Sequence, residues 1–258
     1  MAVDKTKETT IRDMNAKRGN SRIMSWQDAI LFVLYVCRTG SDVSDVYGFF
    51  AISYSVACRY FFVYQQALAI WLAGEFPYPT REQLILSTPA IFKKVFPGRN
   101  IQEINDAFEQ PLEASSNQEC TRSTFSRYKH IHTAKFLGGI AACGAFVTCS
   151  EPRGGGCDDV TLAMASGIVK RLYEGMTSLM DKGFMMQAEM ASVLHECLTP
   201  MKKWPKQWSF TVDDLAWNVR VGRLRILIEN AFKRAQEWKI LHKTVKVTMT
   251  SHFYFFYV

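Results

Sequence analysis

Three carboxylates stand at positions where an acid is costly to keep ionised unless something pairs with it. Asp106 lies inside an apolar, strand-like run from Ile101 to Glu109. Asp181 ends a second such run in TSLMDKGF, residues 177–184, and a Lys-Gly turn follows at once. Glu229 sits in the middle of a long helical pattern. An aspartate before such a turn ordinarily just starts it. Glu229 has Arg225 at i−4 and Lys233 at i+4, the spacing of a surface ion-pair ladder. The competing reading is convergence. If the two strands are neighbours and the helix packs across them, the three acids meet, and hard oxygen ligands of that kind hold Mg²⁺ or Mn²⁺. Two such ions about 4 Å apart activate water and stabilise the leaving oxygen in phosphodiester cleavage. Spacing alone leaves both readings open.

Either reading depends on the elements that carry these residues. Residues 1–24 read as a basic, flexible tail with Lys5, Lys7, Arg12, Lys17, Arg18 and Arg22. Ser25 and Asp28 form a capping-box start for a helix through Cys37, and Gly40 stops it. Ser44 caps a short second helix to Phe50, and Ser53 a third, with Val56, Tyr60, Phe61, Tyr64, Leu68 and Trp71 at helical spacing. Residues 25–75 therefore read as a helix-turn-helix-like module, although a plain helical bundle fits the spacing equally well. Residues 76–99, with Pro77, Pro79, Pro89 and Pro97-Gly98, read as an irregular linker.

Residues 100–241 change texture. Strands are expected over 101–109, 135–142, 145–149 and 177–180, with Gly144 turning a hairpin. Helices are expected over 160–173 and 212–241, the latter packing Leu215, Val219, Leu227, Ala231, Ala235 and Trp238. This order predicts a mixed α/β domain. Residues 242–258 read as a C-terminal tail ending in HFYFFYV.

Composition narrows the partners. A formal net charge of +7 favours a polyanion. Seven cysteines without a C-x-x-C pair fit reduced thiols and argue against zinc. The aromatic stretch from Tyr47 to Phe76 is interrupted by Arg59 and Gln65-Gln66, so no run reaches the ~18 apolar residues of a membrane span, and no membrane partner is expected. His130 and His132 alternate on an expected strand, which suits a strand surface better than a metal pair lacking a third ligand.

Four blocks in order resemble the DDE superfamily endonucleases, in particular the Harbinger-like and THAP-linked transposases. The first is STFSRYKHIHTAKFLGGIAACGAFVTCS (123–150), with Phe125-Ser126, Tyr128-Lys129, Thr133 and Lys135 at the family positions. The others are the glycine-rich loop GGGCDDVTLAMASGIV, the block SLMDKGF, and RLRILIENAFKRAQEWKIL. The resemblance covers about 76–241 and, more loosely, 25–72. It implies a ribonuclease-H-like fold and divalent-metal cleavage of DNA with strand transfer. It makes Asp106, Asp181 and Glu229 the catalytic and metal-binding triad, with Asp159 and Glu109 supporting the site. Asp159 matches the aspartate of the glycine-rich loop.

The chain departs from the pattern at Phe108, where threonine is usual, at Asp158, where serine is usual, and at Asn230, where arginine is usual. The expectation is a metal-dependent DNA endonuclease or transposase acting in the nucleus, with a cytoplasmic location and a homodimer both compatible. The alternative is a catalytically inactive, transposase-derived factor that binds DNA or protein. Lys129, Lys135 and Arg59 are the candidate DNA contacts, each weighed against an ordinary solvated basic face.

Overall fold

A computed structural model describes residues 24–203 and 208–245. The basic tail before Met24, residues 204–207, and the tail from residue 246 onward lie outside the described residues.

The chain opens on helix α1 (Trp26–Thr39). Ser25 Oγ accepts from the Asp28 N–H at 3.1 Å, and Gly40 closes the helix at φ 65°, donating to Val36 O. Its buried residues Ala29, Phe32, Val33, Val36 and Cys37 repeat at helical spacing, so one stripe faces inward. A short α2 (Val43–Val46) runs into a 3₁₀ turn (Tyr47–Phe50), and α3 (Tyr54–Glu75) follows after a bend of 100°. Among the described residues no single helix is long and apolar enough to cross a membrane. The segment expected to be an irregular linker carries α4 (Arg81–Ser87) and α5 (Ala90–Val95). Thr80 and Gln83 form a reciprocal capping box on α4, a start signal that the neighbouring prolines obscured.

The centre is a mixed sheet. Strand β1 (Ile101–Pro111) pairs antiparallel with β3 (Ile131–Ile140) and parallel with β6 (Thr177–Leu179), and β6 pairs parallel with β7 (Glu196–Leu198). Short strands β2 (Phe125–Ser126), β4 (Phe146–Cys149) and β5 (Arg153–Gly154) all attach to β3. Between them lie α6 (Gln118–Thr124) after β1, α7 (Asp159–Ala165) after β5 and α8 (Gln187–Ala191) after β6. The long α9 (Val212–Gln236) comes last and is followed by a 3₁₀ turn at Lys239–His242. The order β4-β3-β1-β6-β7, with antiparallel pairing on one side of β1 and parallel pairing on the other, is a ribonuclease-H-like mixed sheet with flanking helices.

Both faces of the sheet are covered. Ile104, Ile140 and Leu179 pack against Val221, Leu224, Ile228 and Ala231 of α9. Leu137 and Met180 pack on the other face with Leu162, Phe184, Met186 and Met190. Alternation along β6 thus sends Leu179 to one face and Met180 to the other. The helices of residues 25–75 share a third cluster with Phe108, Leu112, Phe136 and Leu241, so they pack directly on the β1–β3 end of the sheet. Two expected helices differ in extent. The helix expected over 160–173 stops at Ala165, because Gly167 turns left-handed at φ 69° and only a 3₁₀ turn (Ile168–Arg171) follows. On α9, Leu215 and Val219 are exposed rather than packed.

Candidate active site

The parallel register pairs Ile104 with Leu179. Two residues further along each strand come Asp106 and Asp181, so period-2 alternation puts both side chains on the face that α9 covers. Asp181 lies just past the end of β6, and the Ile104–Leu179 pairing fixes the register that brings it beside Asp106. The chain then turns away at once through Lys182-Gly183, with the Phe184 N–H donating to Asp181 O at 3.0 Å.

Arg225 of α9 joins the two acids. Its Nη2 donates to Asp106 Oδ2 at 3.1 Å, and its Nη1 lies 2.9 Å from Asp181 Oδ1. The Arg225 side chain is 13% exposed, against 22% for Asp106 and 34% for Asp181. Asp106 Oδ1 accepts from the Ala107 N–H at 2.8 Å, which fixes the carboxylate's orientation. Burial pushes the Asp106 carboxyl above its usual range; Arg225 opposes that shift and Asp181 adds to it.

Glu229 follows Arg225 by one helical turn and is exposed; it makes no ion pair among the described residues. Arg225 therefore does not form the ladder with Glu229 that the spacing allowed. Among the described residues no group of three or more His, Cys, Asp or Glu side chains is placed to hold a metal ion.

A second charged pair borders the first. Lys135 Nζ lies 2.7 Å from Asp159 Oδ1 and donates to Cys157 O at 3.1 Å. A Cβ on Gly183 would fall 2.0 Å from Asp159 Oδ2, so only glycine lets the turn after Asp181 pass this carboxylate. Glu109 pairs in register with Lys135 on β3, and its Oε2 accepts from Thr133 Oγ1 at 2.9 Å. Lys135 is thus engaged by the protein. Lys129 and Arg59 are exposed, and Lys129 Nζ rests over the Tyr128 ring at 5.6 Å. His130 lies in the turn before β3 at φ 57°, not on the strand, so the two histidines do not share a strand face. His132 Nδ1 bonds Thr124 Oγ1 at 3.0 Å.

Phe108 fills core rather than site. It is 9% exposed and meets Phe232 at 5.7 Å between ring centroids. A cavity of about 600 Å³ beside it lies between α1, α3, β3 and the end of α9; it is lined mainly by apolar side chains, and Asp106, Asp181 and Arg225 do not line it. Ser178 Oγ lies 2.9 Å from His195 Nε2, and His195 Nδ1 lies 2.9 Å from Tyr173 O. Both side chains are buried, so this pair straps β6 to the segment before β7 and meets no substrate.

Sequence reasoning missed Arg225 as a site residue. The available signal was helical phase: Arg225 adjoins the stripe Val221, Leu224, Ile228 and Ala231, so it must flank the sheet-facing side.

Comparison with known proteins adds one positive finding. The family model described as DDE superfamily endonuclease matches residues 105–257, more than half of the chain, and spans Asp106, Asp181 and Glu229. No curated protein and no solved structure matches.

Proposed function

Because the chain belongs to the DDE superfamily endonucleases, we propose that it cleaves DNA phosphodiester bonds with a divalent cation held between Asp106 and Asp181. The observation that carries this reading is the convergence of two carboxylates from adjacent strands on one cationic group, Arg225. That donor set fits a hard divalent metal: the acids are ionisable oxygen donors, and the guanidinium stands in for a cation between them. Mg²⁺ or Mn²⁺ would be held by Asp106 and Asp181, with Glu229 as the third carboxylate the family pattern supplies. A bound metal would supply Lewis acidity at the scissile phosphate and activate the attacking water.

The protein's own groups prepare the site. The Ala107 N–H aims Asp106. The Lys135–Asp159 pair buttresses the turn that carries Asp181. Lys129 and Arg59 are exposed cations available to phosphates, and the net charge of +7 favours a DNA partner. Paired cuts at two DNA ends would need two copies, so a homodimer acting in the nucleus belongs to the same proposal.

The second reading, a catalytically inactive binding factor, draws on the exposed position of Glu229 and on Phe108 filling core. Plasmid nicking separates the two. The nuclease reading expects nicking that requires Mg²⁺ or Mn²⁺ and falls at least about a hundredfold in Asp181→Ala and Asp106→Ala, the scale of losing a group that stabilises the transition state. DNA binding without nicking, equal in wild type and both variants, would establish the binding factor instead.

A further inference from the structure

We propose that Arg225 is the resident cation of the carboxylate pair and that a divalent ion enters only by displacing it. This rests on the metal-dependent reading above and adds a gate to it.

Arg225 reaches two acids on two different strands with two different nitrogens, at 2.9 and 3.1 Å. A guanidinium is a rigid planar fork, so holding both acids leaves it little freedom to move aside. Its Nε is buried without a hydrogen-bond partner among the described residues, so the head is positioned by the two aspartates alone. The remaining Asp106 oxygen is engaged by the Ala107 N–H. Arg225 thus holds Asp106 Oδ2 and Asp181 Oδ1, the pair of oxygens that an ion bridging the two acids in its place would take.

A divalent ion needs those same oxygens, and a guanidinium beside it would be repelled in a partly buried setting. The two cations exclude each other, so metal binding competes with an intramolecular ion pair. Competition of this kind lowers apparent affinity by the fraction of chains already closed. A bridge formed in about nine chains of ten weakens metal binding about tenfold.

A displaced Arg225 would offer its planar fork to a DNA phosphate, so the site would open most readily when metal and polyanion arrive together.

Calorimetric titration of the full chain with Mn²⁺ alone tests the gate without reference to activity. Arg225→Gln should bind Mn²⁺ about tenfold more tightly than wild type. Arg225→Lys keeps a charge that reaches one carboxylate only, so it should fall between them; it also answers the question if the glutamine variant fails to fold by circular dichroism. Adding Asp181→Asn should abolish the binding in every background. Equal Mn²⁺ affinity in wild type and folded Arg225 variants, abolished by Asp181→Asn, overturns the gate and leaves the metal site standing. Weaker binding in the folded variants also overturns it. No Mn²⁺ binding by any folded variant overturns both the gate and the metal-dependent reading.

Discussion

Glu103 and Asp106 lie three residues apart on β1 and meet opposite environments. Asp106 has Arg225; Glu103 is fully buried, and its Oε2 accepts from Thr148 Oγ1 at 2.8 Å while Oε1 has no hydrogen-bond partner among the described residues. Burial raises the Glu103 carboxyl above its usual range. The sign follows from linkage. A carboxyl whose folded pKa is raised contributes stability that is fully present below the unfolded value, about 4.3, and is lost as pH rises through the folded pKa. Glu103→Gln keeps an acceptor for Thr148 and cannot ionise. Chemical denaturation should show the variant more stable than wild type at pH 7, with the gap closing as pH falls towards 4. A gap that widens in acid would contradict a buried neutral Glu103. At this scale the strand acids were legible, because an aspartate within or ending an apolar run stands out. Arg225 was not read as a site residue, because apolar residues on several sides of α9 obscured the helical phase that sets its direction.

Direction on a helix is set by phase, and α9 shows how it can be misread. Apolar residues occur on several sides of it: Leu215, Val219 and Ile226 are exposed, while Val221, Leu224, Ile228 and Ala231 are buried. The stripe expected from spacing took in Leu215 and Val219, which are exposed, and Ala231, which is buried against the sheet. Phase was decided by the strands beneath, where Ile104, Asp106 and Phe108 alternate onto the face that meets Ile228, Arg225 and Phe232. Ile228→Ala should therefore cost about 2–5 kcal/mol. Leu215→Ala should stay within about 0.5 kcal/mol of wild type. Urea titrations of the two variants check the phase directly, and equal losses would contradict it. The strands that bear the acids were legible from alternation and apolar runs. Strand β7 was missed because Glu196-Cys-Leu198 is too short to show a period, and it is specified instead by pairing with β6.

On the scale of the molecule, the helices before residue 76 are integral to the sheet. Phe32, Tyr60 and Phe61 share one cluster with Phe108, Phe136 and Leu241, and Lys243 pairs with Asp42 across the same junction. Tryptophan fluorescence and far-ultraviolet circular dichroism should report one coincident unfolding transition. Two separated transitions would contradict a shared core. The prolines of residues 76–99 and the change of texture near residue 100 mark a boundary in the sequence; the packing across it lies between residues distant in sequence, where local pattern has no reach.

If Asp106 and Asp181 together hold one divalent cation, as proposed, the ion lies against two separate segments of the chain. Iron-directed backbone cleavage tests it most directly: Fe²⁺ replaces Mg²⁺, ascorbate and peroxide generate hydroxyl radicals at the bound ion, and the cut sites are read by mass spectrometry. An ion held there should give two cuts, one in β1 near Asp106 and one in the turn after β6 near Asp181, both suppressed by excess Mg²⁺ and lost in Asp181→Asn. Cuts confined to other segments, or unchanged by Asp181→Asn, would contradict it.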